Sequence, residues 1–146
     1  MFKKSQEELK ALGAHITTAE IKQQPELWVS TFGIYQENLS AIKEFVERAR
    51  NLGEGRRTRV VFTGAGTSAY VGDTITPYLR SHGEKSSFEF ASVATTDIVS
   101  DPYGSLDPED PTVLVSFARS GNSPESLAAV NIARKIVKNL LLINIT

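Results

Sequence analysis

Val60-Val61-Phe62-Thr63-Gly64-Ala65-Gly66-Thr67-Ser68 runs an apolar stretch of strand character into a glycine turn and then into hydroxyls. A second segment repeats the design. Val113-Leu114-Val115-Ser116-Phe117 leads into Ala118-Arg119-Ser120-Gly121-Asn122-Ser123, and a helix-forming stretch follows. Two strand ends of this kind, each opening a helix with small and hydroxylated residues, point toward one crevice. In an open parallel sheet, ligands bind beyond the carboxyl ends of the strands, where helix N-termini present free N–H groups and a positive dipole end. The pair of turns therefore predicts a site for a phosphate group, held mainly by backbone and hydroxyls.

Composition narrows what such a site serves. In 146 residues, 40% are hydrophobic and 23% charged, which supports a folded core rather than a disordered chain. Sixteen basic and seventeen acidic residues leave a net charge of -1. That balance offers no broad attraction for nucleic acid or an anionic membrane. Cysteine is absent, which removes disulfides, thiolate catalysis and cysteine metal sites, and fits a reducing compartment. The opening Met1-Phe2-Lys3-Lys4-Ser5-Gln6-Glu7-Glu8 lacks the apolar run of a signal peptide, and no segment has the length of a membrane span. A cytoplasmic location is the expectation.

Residues 1–55 read as a helical segment. Thr17-Thr18-Ala19-Glu20 has the spacing of a capping box at the start of a short helix. Pro25 is then expected to open a longer one, whose apolar positions Trp28, Phe32, Tyr35, Leu39, Ile42, Val46 and Ala49 recur at helical period. Gly53 and Gly55 end it, and the apolar row is expected to pack in a core or a subunit contact. From residue 56 onward short apolar runs alternate with helical stretches, the pattern of βαβ units. Strands are predicted over 59–63, 86–93, 112–117 and 140–145, with helices over 68 to about 81 and over 124–137. Pro77 falls inside the first of those helices and should kink it. Leu140-Leu141-Leu142-Ile143-Asn144-Ile145 looks like a central strand, apolar on both faces, which predicts further sheet beyond this chain.

Each motif has a plainer alternative. Gly64-Ala65-Gly66-Thr67-Ser68-Ala69 matches the dinucleotide fingerprint, which also wants an acid about 20 residues on, at the end of the second strand. Here Glu84 precedes that strand, Glu89 lies within it and its end reads Ala91-Ser92-Val93-Ala94, so the dinucleotide reading fails. No Gly-Lys-Ser/Thr follows, which excludes a Walker loop. The glycine turn alone serves equally to pack helix on strand. At the second turn Ser123 is an expected N-cap with Pro124 at the first helical position and Glu125 at the positive helix end. Capping by Ser123 does not require Arg119, Ser120 and Gly121 ahead of it, and Arg119 adds charge there.

Gly-x-Gly-Thr-Ser after one strand, paired with Ser-Gly-x-Ser after a later one, strongly resembles the sugar isomerase (SIS) domain. The wider stretches from Phe62 to Asp73 and from Ser116 to Ser126 look like the tagatose-6-phosphate ketose/aldose isomerase branch, whose members act on galactosamine 6-phosphate as deaminase/isomerases. The resemblance covers nearly the whole chain. It implies an α/β fold, a three-layer α-β-α sandwich with a doubly wound, flavodoxin-like parallel sheet. A helical segment, 1–55, would precede a first SIS domain, 56–146, of a protein carrying two. By the same resemblance Ser68 contributes a hydroxyl beside the sugar, with Gly66 and Thr67 shaping the turn. Ser120, Gly121, Asn122 and Ser123 bind phosphate through hydroxyls and N–H groups. The family often has Ser-Gln-Ser-Gly-Glu-Thr at this loop. Here Ala118 loses one phosphate-facing hydroxyl, for which Arg119 compensates.

Isomerisation needs a base to move a proton between C1 and C2, and ring opening needs a further acid or base. In the related enzymes these are a glutamate and a histidine from the second SIS domain or a neighbouring subunit. No catalytic residue is assigned here. His15 falls in the helical segment, and His82 at a helix end serves the dipole. Asp97 reads as a helix N-cap, and Asp101, Asp107, Glu109 and Asp110 as a solvated connection without calcium-loop spacing. The expectation is a sugar-phosphate isomerase acting on a phosphorylated sugar or amino sugar, without metal or cofactor, assembled as a homo-oligomer. The alternative is a non-catalytic sugar-phosphate sensor. A regulator would carry a basic helix-turn-helix ahead of the domain, and residues 1–55 lack that character.

Overall fold

Four parallel strands position everything that follows in the computed structural model, which describes residues 2–146. They are β1 (Thr58–Gly64), β2 (Phe88–Ser92), β3 (Thr112–Phe117) and β4 (Leu140–Ile145), in the spatial order β2-β1-β3-β4. Between them run α4 (Ala69–His82), α5 (Thr95–Ser100), α6 (Pro102–Ser105) and α7 (Pro124–Ile136). Ahead of β1 lie α1 (Gln6–Ala11), α2 (His15–Glu37) and α3 (Leu39–Asn51). The chain divides into two compact units, the second being Phe45–Thr146, with the boundary inside α3.

The strand order creates the switch point. From β1 the chain passes outward through α4 to β2, then returns across β1 to β3 and on through α7 to β4. Right-handed crossovers in opposite directions place α4 and α7 on opposite faces of the sheet. The two hydrophobic clusters show this. Phe62, Phe88, Phe90, Val113 and Val115 pack on one face with Ala49 of α3 and with Ile75 and Leu79 of α4. Val61 and Leu114 pack on the other with Ile98 of α5 and Ala129 and Ala133 of α7. Alternation along β1 and β3 explains the split, since neighbouring side chains face opposite ways. Thr63, Ser116 and Asn144 share one register row, a polar rung just below the strand ends.

Strand and helix expectations hold within a few residues from β1 onward, and Pro77 does lie inside α4. Three local expectations are corrected. Pro25 does not open a helix; it sits inside the 23-residue α2. The preceding stretch is rich in helix formers, and the carbonyl that Pro25 leaves unbonded lies on an exposed turn that water can serve. The capping box belongs to Ser5 and Glu8, where the Ser5 N–H donates to Glu8 Oε2 at 2.8 Å. Thr18 is instead buried within α2 and donates to the Ala14 carbonyl at 2.7 Å. The apolar row is also cut by Asn38, so Trp28, Phe32 and Tyr35 belong to α2 and Ile42, Val46 and Ala49 to α3. Among the described residues β4 pairs only with β3 and is half-buried over its first four residues.

Candidate functional site

The two glycine turns meet at the carboxyl ends of β1 and β3, which are adjacent in the sheet with Gly64 opposite Phe117. After Gly64 the chain makes one 3-10 turn, Gly66–Ser68, and enters α4. A Cβ at Gly64 would stand 2.6 Å from the Ser68 carbonyl carbon and 2.8 Å from the Ala69 nitrogen. Only glycine lets the first turn of α4 close on the end of the strand. At the second turn Gly121 has φ +69, a left-handed conformation that bends the chain back toward α7.

Five of the expected residues, Ser68, Arg119, Ser120, Gly121 and Ser123, line one crevice of about 180 Å³ between these turns. Gly66, Thr67 and Asn122 do not line it; Gly66 and Thr67 form the exposed outer part of the first turn. Ser120 is exposed, and its hydroxyl accepts weakly from the Asn122 N–H at 3.4 Å. Ser123 caps α7 by accepting from the Ser126 N–H at 3.3 Å and donates its own proton to Ser126 Oγ at 2.8 Å. Ser126 was not singled out from sequence. It is buried and lines the crevice, and its signal is the Ser-x-x-Ser spacing across the helix start.

Chemically the crevice is a place to hold an anion. Its lining offers hydroxyls, loop N–H groups, the start of a 13-residue helix and one guanidinium, with no carboxylate or imidazole among them. The histidines stand elsewhere. His82 ends α4, a helix of 14 residues that starts at the crevice, so about 1.5 Å of rise per residue carries it roughly 20 Å away. It stacks on Tyr78 with ring centroids 4.5 Å apart. His15 begins α2 in the other unit. Asp97 is corrected from an N-cap to the third residue of α5, whose N-cap is Ala94. Its carboxylate still lies in the first turn, where the helix dipole favours it. Asp101 does cap, accepting from the Gly104 N–H at 3.0 Å. At the end of β2, where a dinucleotide site would keep an acid, Ser92 donates to Asp73 of α4 at 2.7 Å. Among the described residues no group of three or more His, Cys, Asp or Glu is arranged to hold a metal ion.

Comparison with known proteins follows the same line. Residues 56–146 match the SIS domain family. A D-galactosamine-6-phosphate deaminase, AgaS, of Escherichia coli is 44% identical over 124 residues, covering 83% of this chain and 30% of the relative. The protein of the same name in Shewanella sp. (strain ANA-3) is 37% identical over 142 residues, covering 97% of this chain and 36% of the relative. The chain thus spans about a third of the length of the curated relatives it matches. Among solved structures, the tagatose-6-phosphate ketose/aldose isomerase of Escherichia coli is 41% identical with a TM-score of 0.78, over 88% of this chain and 33% of that one. A Clostridium novyi protein, provisionally assigned the same activity, is 40% identical with a TM-score of 0.87, over 99% of this chain and 35% of that one. With a fold, a pair of turns and a family match over most of its length in agreement, this chain belongs to the SIS domain family.

Proposed function

We propose that this chain supplies the phosphate-holding part of an enzyme that converts galactosamine 6-phosphate to tagatose 6-phosphate and ammonia. The observation that carries the reading is the convergence of Ser68 with the loop from Arg119 to Ser123 in a crevice free of acid groups. The names borne by the relatives support the choice of sugar. Residues 1–55 would then be the helical segment ahead of an SIS domain at 56–146. In this reading Ser120, Gly121 and Ser123 take the phosphate, Asn122 supports Ser120 from outside the crevice, Arg119 adds charge and Ser68 reaches the sugar. Gly66 and Thr67 shape the first turn.

The reaction itself is a sequence of proton moves. Ring opening frees the C1 aldehyde; a base removes the C2 proton and the resulting enolamine is reprotonated at C1. The C2 imine so formed is hydrolysed by water to the ketone, releasing ammonia. The crevice holds the substrate through this sequence, and its hydroxyls are no base near neutral pH. The reading extends to a cytoplasmic homo-oligomer. The cysteine-free composition supports the first half, and the second rests on Trp28, Phe32 and Tyr35, which are 66, 59 and 46% exposed along α2.

The test is incubation of the full-length protein with galactosamine 6-phosphate while ammonia and ketose phosphate are followed together. Stoichiometric release of both is the expected result. Calorimetric binding without turnover would replace the enzyme with a sugar-phosphate sensor, and absence of binding would remove the substrate assignment.

A further inference from the structure

Along the outer edge of β2, Arg57, Arg80 and Lys85 line a cleft of about 350 Å³ together with Phe88, Glu89 and Phe90. The two phenylalanine rings are buried in the core, so what these residues present to the cleft is backbone. The phase of the strand decides which backbone groups face out. The Thr58 N–H donates to the Ser87 carbonyl at 2.8 Å and the Val93 N–H to the Phe62 carbonyl at 3.0 Å. In a parallel ladder this turns the amides of Glu89 and Ala91 toward β1, and those of Phe88, Phe90 and Ser92 toward the open edge. The outward Phe88 N–H is met by the Glu84 carbonyl at 3.1 Å. The outward Phe90 carbonyl accepts from Arg80 Nε at 2.8 Å. The Phe90 N–H is left facing the cleft.

Arg80 is therefore anchored at one nitrogen to the residue that carries that amide, and both line the same cleft. Arg57 pairs with Glu89 at 3.2 Å, and Lys85 forms no ion pair among the described residues. Three cations against one carboxylate leave the cleft positive in a chain whose net charge is -1. Charge on an edge strand also guards against sheet-to-sheet pairing, but guarding requires no convergence of donors on one amide.

We propose that this edge cleft is a second anion site, on the open side of β2 and apart from the crevice at the carboxyl ends of β1 and β3. It takes a phosphate-class oxyanion on the Phe90 N–H, the Arg80 guanidinium and the Lys85 ammonium, with the Arg57–Glu89 pair as its wall. Backbone N–H groups beside a fixed guanidinium match the geometry of such an anion.

Nitrogen-15 NMR of the full chain, titrated with inorganic phosphate at constant ionic strength, reads both sites in one experiment. The Phe90 amide and the Arg80 Nε–H should shift together and saturate, on an isotherm distinct from that of the Gly121 and Asn122 amides. In Arg80→Gln/Lys85→Gln the Phe90 isotherm should weaken about tenfold or more while the loop isotherm stays in place. Lys85→Gln alone, at an exposed position, tests the same point without disturbing the anchored arginine. A Phe90 shift that never saturates, or that both variants leave unaltered, would overturn the proposal. Repeating the titration with galactosamine 6-phosphate separates a site for free phosphate from one that also accepts the phosphate of a sugar.

Discussion

Ser123→Ala separates the capping of α7 from the phosphate contact proposed for the same hydroxyl. In the structure Ser123 caps α7 through the Ser126 N–H and passes its proton to Ser126 Oγ. Losing an N-cap costs about 0.5–2 kcal/mol, which moves the melting temperature by several degrees in a domain of about this size. If the hydroxyl turns its one proton from Ser126 Oγ to a bound phosphate, while still accepting from the Ser126 N–H, a charge-assisted hydrogen bond worth about 1.5–3 kcal/mol is lost with it. That second loss is roughly a 10- to 150-fold weaker Kd, since about 1.4 kcal/mol is a factor of ten. Ser120→Ala is the control. Ser120 is exposed and engaged only through a long contact to the Asn122 N–H. Its removal should therefore leave the melting temperature nearly unaltered while weakening binding by a similar factor. Calorimetric scanning of each variant gives the first quantity, and titration with galactosamine 6-phosphate the second. A Ser123→Ala protein that melts lower yet binds as tightly as the parent would show capping as the serine's whole role. If Ser120→Ala bound as tightly too, the phosphate would not lie in this loop.

Gly64→Ala should destabilise the protein by about 1–3 kcal/mol or prevent folding, because the added Cβ meets the backbone of Ser68 and Ala69 rather than a flexible side chain; a melting temperature equal to the parent's would refute the close packing. Arg50, followed by the Ser87 hydroxyl, holds the Glu84 carboxyl down at about 2, from an ordinary 4.5. A depressed folded-state value stabilises fully above the unfolded one and is lost as pH falls through the window from 4.5 toward 2. The stability gap between the parent and Glu84→Gln, measured by urea titration, should accordingly be constant near neutrality and shrink across that window; a gap independent of pH would sink the idea. Binding of tagatose 6-phosphate should strengthen as pH rises through about 6, the second ionisation of a phosphate monoester, and then level off. Among the described residues Arg119 is the sole charged group lining the crevice. An additional inflection between pH 6.5 and 8 in calorimetric titrations, roughly the range of histidine and perturbed amines, would point to a protein group missing from this account.

The sheet was legible because its signals are local and redundant. Short apolar runs at 112–117 and 140–145 appear as β3 and β4 with those limits, and Ser123-Pro124-Glu125 marked the start of α7. The helical segment was misread where one strong local rule met a stronger neighbourhood. Pro25 is favourable at a helix start, but ten helical residues already precede it in α2. Asp97 was misread for the converse reason. The extended backbone of Ala94 ends the strand-to-helix turn earlier, and Thr95 gives its hydroxyl to the Gly64 carbonyl at 3.3 Å rather than to a cap. That bond spans 31 residues, and no local pattern announces it.

The place of the crevice was legible for a different reason: its two turns are built from backbone conformation and hydroxyls, which write themselves into sequence as glycine and serine beside a strand end. Ser126 escaped notice because its Ser-x-x-Ser spacing from Ser123 reads as ordinary helix-start composition until α7 brings the two hydroxyls together. The β2 edge was invisible altogether, since Phe90 reads as a core residue and acts in the cleft through an amide whose direction depends on pairing with β1. The same contrast bears on the chemistry. A lining of hydroxyls, amides and one guanidinium suits charge recognition rather than proton exchange near neutrality, so in the proposed function this crevice would contribute binding energy and orientation. Energy drawn from a phosphate remote from C1 and C2 helps the reaction when it fixes those carbons against a base. In the proposed function, the rigidity given by Gly64 closing on Ser68 and by the Ser123–Ser126 pair would be the property through which this part of the fold serves proton transfer elsewhere.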